Sequence, residues 1–509
     1  MMGRRLLPPG WTWAQFDEVA SIESDLVDPK ALPDAPHIAP NHIESKTGRL
    51  LPYSTVAADK VTSPKHQFRA GQILYSKIRP YLAKAVLVDF EGLCSADMYP
   101  VSTNLDPRFL LRWLLSDEFT ARVSLDQGRT VLPKVNQAAL GKIHVPVPPL
   151  NEQRRIVAKL EALLARSRRA KEALDAIPAL LERFRQSILA AAFRGDLTRD
   201  WRTDNPNVEP ASKLLERLRT ERRRRWEATE LERMRAKSKV PKDEKWKTEY
   251  QEPECNDEAE AFGPVSDHGW VVAPVEGLCD PSRGVPYGIV QTGDETVDGV
   301  PTVRCGDLKD FSIDLALLKR VAPSIEQQYA RTRLVGGEVL LAIRGTVGGV
   351  AVASEEMRGM NISREVAMLP VLPSVDPRFV MYLLASPAAT ALLAGRTKGV
   401  AQQGVNLSDL RSFPVPLPSL AEQAQIVRRV DAAMSRARAI ARACAEAVSR
   451  MPSLEASVVS KAFRGELAPQ DPADEPASAL LQQIRAEQKQ PADSGPGPST
   501  KRRRMNKVA

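Results

Sequence analysis

The chain has 509 residues, with 72 Lys and Arg against 63 Asp and Glu, a net charge of +9, and only 5% aromatic residues. That length supplies more than one hydrophobic core, the excess of cations suits a polyanionic partner, and the shortage of aromatics argues against base stacking as the main mode of binding. The five cysteines are scattered without a CxxC pair, no apolar run follows Met1, and no stretch approaches membrane-spanning length, so a reduced, cytoplasmic protein without structural zinc is expected.

In chain order, Gly10-Trp11-Thr12-Trp13 opens a first globular half, its two Trp at alternate positions reading as a strand or turn packed on a core. Residues 25–65, rich in Pro, Asp, His and Ser, predict loop with short strands. Residues 71–79 alternate like a strand, with 83–88 as its neighbour, and 107–115 read as an amphipathic helix. A basic loop, Gly128-Arg129-Thr130-Val131-Leu132-Pro133-Lys134-Val135-Asn136, precedes a Pro-rich extended segment at 145–149.

A long helix follows, ending near Phe193. Ile156, Leu160, Leu163, Ser167, Ala170, Leu174, Ile177, Leu181, Phe184, Ile188 and Ala191 recur at spacings of four and three, the seam of a coiled coil. Pro178 lies inside the helix and should kink or break it. Residues 198–262 then read as a charged connector. Within it, 212–236 has helical composition, and Arg222-Arg223-Arg224-Arg225 suits either a solvated helix face or a phosphate contact. Residues 237–262 predict a flexible linker. The second half runs from Trp270 through a strand and turn at 337–345 and a loop at 396–406 to a second long helix with Pro452 inside it. Past residue 490, Pro, Gly, Ser and the run 501–504 predict a disordered basic tail.

The second half repeats the first. Residue numbers rise by 270 between Asp106-Pro107-Arg108-Phe109 and Asp376-Pro377-Arg378-Phe379, between Glu152-Gln153 and Glu422-Gln423, and between Ala192-Phe193-Arg194-Gly195 and Ala462-Phe463-Arg464-Gly465. The helix seam recurs at Ile426, Val430, Ala433, Ala437, Ile440, Cys444, Ala447, Met451, Leu454 and Val458. With small shifts Gly10-Trp11 resembles Gly269-Trp270, Ile78-Arg79 resembles Ile343-Arg344, Pro36-His37-Ile38-Ala39 corresponds to Pro301-Thr302-Val303-Arg304, and Glu209-Pro210-Ala211-Ser212 matches Glu475-Pro476-Ala477-Ser478. A period this long means duplicated domains, not a solenoid. The boundaries expected are 1–144 and 263–414 for the globular domains, 145–197 and 415–467 for the helices, 198–262 for the connector and 468–509 for a charged, partly disordered tail. Two seams in one chain pair most easily antiparallel, and two non-identical basic halves would read two different half-sites.

No catalytic constellation emerges. There is no GxxxxGK[ST] loop and no Asn-Pro-Pro-aromatic motif, and Arg344-Gly345-Thr346-Val347-Gly348-Gly349 is not a dinucleotide fingerprint. Asp243-Glu244-Lys245 imitates part of a nuclease motif but lies in a Lys-rich linker, and His37 and His42 lack further zinc ligands.

The duplicated layout resembles the specificity subunits of type I restriction–modification systems. The motifs that carry it are Pro148-Pro149-Leu150-Asn151-Glu152-Gln153 with Pro418-Ser419-Leu420-Ala421-Glu422-Gln423, the two Ala-Phe-Arg-Gly endings and the Gly-Trp openings. The resemblance covers essentially the whole length. It implies two α/β (α+β) target-recognition domains joined by an intramolecular antiparallel coiled coil. It also implies a non-catalytic chain that binds double-stranded DNA at a bipartite asymmetric site. The partners implied are two modification subunits that use S-adenosylmethionine to methylate adenine, and two restriction subunits that use ATP and Mg; no cofactor is expected on this chain. A two-domain DNA-binding or tethering protein without a methyltransferase partner remains the alternative. The DNA-binding candidates are Lys77, Arg79, Arg129, Lys134 and Asn136 in the first copy. In the second they are Arg304, Arg344, Lys398, Gln402, Gln403 and Asn406, with Arg suited to guanine, Asn and Gln to adenine and Lys to phosphate. Asn136 and Asn406 each precede a similar Leu-bearing turn and read rather as structural.

Overall fold

The structure, a computed structural model, describes residues 5–124, 133–238, 241, 243–255, 258–345, 347–395 and 404–489. They divide into two units, residues 1–175 with 445–509, and residues 176–444.

In the first unit, strand Thr12–Gln15 pairs antiparallel with His144–Val147, so the entry and exit of the first domain are tied at one point. Between them lie two sheets. A four-stranded antiparallel sheet runs Ala20–Ile22, Met98–Thr103, Ile73–Ser76, Ala85–Leu87. A five-stranded sheet contains a single parallel pair, His37 opposite Leu93. The mostly antiparallel pairing places the domain on the α+β side of the expected fold. Helix Pro107–Leu114 covers the four-stranded sheet. Pro107 starts it and the Asp106 carboxylate accepts from the Arg108 and Phe109 amides.

The first unit is completed by chain from far away. Residues 445–463 of the second long helix run antiparallel to residues 150–175 of the first, and the Ser167 hydroxyl donates to Glu455 Oε1 at 2.7 Å. Ile156, Val157 and Leu160 share one core with Ala462 and Phe463. The Phe463 ring lies 5.3 Å from that of Phe109 and 5.0 Å from that of Trp113. Arg155 pairs with Asp474. Helix Ala477–Lys489 then buries Ala477, Leu481 and Ile484 in the same core. Its Ala477 amide donates to the Gly10 carbonyl at 2.9 Å, and Arg485 pairs with Glu18 at 2.6 Å. Residues 477–489 are thus a built part of the first unit, not charged tail.

The second unit repeats this plan. Strand Val271–Pro274 pairs with Pro414–Leu417. Val350–Val352, Val339–Ala342 and Val366–Leu369 form one sheet, and Lys319–Val321, Val300–Val303 and Asn361–Ile362 another, again with one parallel pair. The end of the first long helix closes the core: Leu189 and Phe193 pack with Ile426, Val427 and Val430, and the Phe193 ring lies 5.4 Å from that of Phe379. Helix Ala211–Ala236 buries Leu214 and Leu218 there.

The connector is therefore better built than its composition suggests. Arg222 is buried, donating to the Glu276 carbonyl and the Tyr250 hydroxyl, both at 3.2 Å. Arg225 pairs with Asp280 at 2.7 Å, and Arg223 with Glu227 at 3.2 Å. Arg222 and Arg225 thus clamp the helix onto the second domain, while Arg223 and Arg224 stay on its exposed face. Phe262, at the end of the expected linker, is also buried.

Both long helices, Leu150–Phe193 and Leu420–Phe463, run through Pro178 and Pro452 without a break. A proline removes one backbone bond, and the rest of a 44-residue ladder carries the helix past it. Gly195 and Gly465 end them at φ of +78° and +73°. The seam holds at Ile156, Leu160, Ile426, Val430 and Ala437, which are buried. It fails at Phe184, Ile440 and Leu454, exposed by 41%, 48% and 61%. An undistorted helix drifts about 20° per heptad from a 3.5 repeat, so at Phe184 and Leu454, four heptads on from Ile156 and Ile426, the stripe has turned by about 80°. Val427, off the seam, lies in the core as well.

Candidate nucleic-acid interface

Both domains bring the same corner of backbone to one place. In the first, strand Ile73–Ser76 continues into Lys77, whose amide donates to the Asp97 carbonyl at 3.0 Å. The Val135 amide donates to the Lys77 carbonyl at 2.9 Å, and the Arg79 amide to the Pro133 carbonyl at 2.9 Å. Ile78 bridges Lys134. Lys77, Arg79, Lys134 and Asn136 therefore converge where the basic loop enters the domain. Arg129 itself lies outside the described residues, as do Lys398, Gln402 and Gln403.

The gathered residues are not equivalent. The Lys77 ammonium sits 5.1 Å over the Tyr99 ring, an attraction between a cation and the ring quadrupole. Lys134 pairs with Asp97 at 3.2 Å, with both side chains about half exposed. Arg79 is exposed and left-handed at φ 48°, ψ 56°. That geometry costs a residue with a Cβ roughly 1–2 kcal/mol. Asn136 caps helix Gln137–Gly141, its Oδ1 accepting from the Ala139 amide at 2.8 Å, so its side chain is spent on the fold. Asn406 takes the same position before helix Leu407–Arg411, where its amide lies 3.4 Å from Asp409.

In the second domain the Val405 amide donates to the Ile343 carbonyl at 2.9 Å and Arg344 bridges Gly404. These bonds correct the alignment of the copies. Ile343 takes the place of Lys77, Arg344 that of Ile78, and Gly345 that of Arg79. The sequence pairing of Ile78-Arg79 with Ile343-Arg344 is out by one residue, because the strands align Gly71 with Gly337. Gly345 is left-handed too, at φ 73°, so the corner's geometry recurs while its side chains differ. The match of Ile38-Ala39 with Val303-Arg304 does hold: Ile38 opposes Cys94 as Val303 opposes Ile362. Arg304 is held by Asp307, Nε and Nη2 donating at 3.3 and 3.2 Å, and this hydrogen bonding raises its pKa further.

Sequence reasoning missed Arg364. It is exposed, its amide donates to the Ile289 carbonyl at 2.8 Å, and it precedes Glu365, whose carbonyl accepts from Ile343 at 2.8 Å. The only signal was its position just after strand Asn361–Ile362, legible once that strand is known to pair with Val300–Val303.

Other candidate centres have structural partners. His37 is bonded to Asp59 at 2.7 Å, His42 accepts from the Ala39 amide at 3.2 Å, and Asp243 accepts from the Lys245 amide at 3.1 Å. Burial pushes the Cys94 thiol up to about 12, away from reactivity. Among the described residues no single helix is long and apolar enough to cross a membrane.

The repeated Glu-Gln and Gly-Trp motifs join each domain to its helix. Trp11 Nε1 donates to buried Glu152 at 3.0 Å, and Trp270 Nε1 to buried Glu422 at 2.9 Å. Gln153 and Gln423 donate to the carbonyls of Pro148 and Pro418 at 3.0 and 3.1 Å. The surroundings differ. Glu422 Oε1 accepts from Thr198 at 2.7 Å and pairs with Arg202 at 2.6 Å, whereas Glu152 Oε1 is buried without a partner among the described residues.

The chain thus holds two versions of one module, each fastened to a long helix through a buried Trp–Glu bond and each presenting a cation-bearing strand corner. The chain matches the type I restriction modification DNA specificity domain over residues 10–178 and 291–442, and it belongs to that family. It is 30% identical over 378 residues to the EcoBI specificity subunit of Escherichia coli, covering 72% of this chain and 69% of that one. It is 48% identical over 220 residues to the EcoDI specificity subunit of the same species, a match that covers 42% of this chain and spans only half of that subunit. The fold is similar to that of the HsdS subunit of Thermoanaerobacter tengcongensis, with a TM-score of 0.58 at 23% identity, covering 91% of this chain and 99% of that one. Specificity subunits are the non-catalytic, DNA-recognising members of their systems, and the expected fold class stands.

Proposed function

We propose that each domain reads one half of a bipartite asymmetric DNA site, that the long helices set the spacer, and that they dock two modification subunits. Those partners would carry S-adenosylmethionine and methylate adenine, and two restriction subunits would bring ATP and Mg, in the cytoplasm. The observation that carries the reading is the recurring corner with differing side chains, Lys77-Ile78-Arg79 against Ile343-Arg344-Gly345. One scaffold with two chemistries suits two half-sites. The docking part is supported by apolar side chains left open on the helices: Leu180 at 55% and Phe184 at 41%, Ile440 at 48% and Leu454 at 61%. Their exposure also predicts that the chain alone aggregates and binds DNA poorly, while co-expression with modification subunits gives a soluble complex. A soluble monomer that binds its site as tightly as the complex would refute docking.

Exchange of residues 1–144 for those of another family member tests the reading. Mapped methylated adenines should show one half-site changed and the other kept. A motif in which both halves change would sink it.

Four residues inserted near Ala173 add about 6 Å of helix. With a base-pair rise of about 3.4 Å, the gap should lengthen by one or two base pairs while both half-site sequences persist. The upper limit will not be reached if the stutter unwinds the pair locally. Unchanged spacing with retained activity would leave the helices as a docking surface only.

A further inference from the structure

Three arginines meet at one end of the second domain, each through the residue that follows it. Arg304 precedes Cys305, Arg344 precedes Gly345, and Arg364 precedes Glu365. Those three followers touch. Cys305 Sγ lies 3.1 Å from Glu365 Oε2, and a side-chain carbon at Gly345 would stand 2.9 Å from the Cys305 sulfur. The Ser363 amide donates to the Val303 carbonyl at 2.8 Å, which locks the Arg364 segment beside that of Arg304.

The three guanidinium groups are not equally available. Arg304 spends two donors on Asp307. Arg344 and Arg364 are exposed, and neither guanidinium has a hydrogen-bond or ion-pair partner among the described residues. One oxygen of the nearby Glu365 carboxylate accepts from the Cys305 thiol. The first domain carries the same backbone pattern, with Ser95 donating to Ile38 and Lys77 to Asp97, at 2.8 and 3.0 Å. Its residues at the three positions are Ala39, Ile78 and Ala96. Not one of those side chains is a donor, and its cations stand instead at Lys77, Arg79 and Lys134.

We propose that Arg364 is a specificity-determining residue that, with Arg344, reads guanine edges in the major groove of the second half-site. The first domain reads its half without a donor at the equivalent positions. An unpaired planar fork is the group that matches guanine O6 and N7. Two such forks at one strand corner, beside a third already committed, are better suited to base edges than to a diffuse phosphate field. This rests on the DNA-reading function proposed above.

The test uses the complex with its modification subunits, by methylome mapping and duplex binding. Arg364→Ala should relax the base requirement at one or more positions of the second half-site only. Its affinity for the cognate duplex should fall about 10- to 100-fold. Arg364→Lys, which keeps the charge and loses the fork, should behave like the alanine variant. If lysine restores both motif and affinity, or if alanine weakens all duplexes equally, Arg364 is a phosphate contact and the inference fails. It fails too if the motif is unchanged in both variants. A wild-type complex with no bipartite motif would overturn the DNA-reading function itself, a separate outcome.

Discussion

Glu422→Gln is expected to destabilise the protein by about 3 kcal/mol, and Glu152→Gln to leave it unchanged or stabilise it by up to about 1 kcal/mol. The two glutamates occupy the same place, one residue before a buried glutamine and bonded to the opening Trp of their own domain. What differs is the second oxygen. Glu422 faces Thr198 and Arg202, with its side chain 4% and that of Arg202 17% exposed. Neutralising it strands a mostly buried guanidinium. Arg202 keeps its bond to the Gly195 carbonyl at 2.6 Å, which sets the cost at the lower end for a broken buried pair. In the first unit the residues matching Thr198 and Arg202 are Ala468 and Pro472. Neither offers a side-chain donor, so burial pushes the Glu152 carboxyl up, only partly countered by Trp11 and Arg155. A raised folded pKa favours folding fully below the unfolded value, and that advantage is lost as pH rises through the folded value. The benefit of Glu152→Gln should therefore be larger in thermal melts at pH 8 than at pH 5. Equal losses from both substitutions would contradict the asymmetry.

Phe463→Ala should cost about 3–5 kcal/mol, and the damage should appear in the first domain although the residue ends the second long helix. Its ring fills the space between Phe109 and Trp113 and is 1% exposed. Hydrogen exchange should accelerate in Pro107–Leu114 and Asp117–Ser124 while Pro377–Leu384 stays protected. Phe193→Ala should give the reverse pattern through Phe379. Loss of protection in the domain that precedes each helix would show that the closing contacts are wrong.

Much of this was legible in the residues. The 270-residue repeat, the two long helices, helix Pro107–Leu114 and the strand pair at Ile73–Ser76 and Ala85–Leu87 rest on local periodicity, which a sequence carries openly. The arginine run of the connector did not, because Arg222 is buried by a partner carbonyl 54 positions away. Charge reads as solvent until its partner is known. The one-residue slip at Arg344 has a similar cause. Matching letters favoured Ile-Arg with Ile-Arg, whereas hydrogen-bond register follows the strand from Gly337. Arg364 was hidden because its neighbours come from strands 60 residues apart in the chain, joined at Cys305 and Glu365.

The closure of the first unit by residues 445–489 sets an order of assembly on the ribosome. The second unit is one uninterrupted stretch, residues 176–444, and can fold as soon as it emerges. The first is translated earlier, yet its core lacks Phe463, Leu481 and Ile484 until about 310 more residues are made. At about 5–20 residues per second that wait lasts about 15–60 s. Throughout it Phe109 and Trp113 stand open to collapse with the wrong partner, so the half synthesised first is the half finished last.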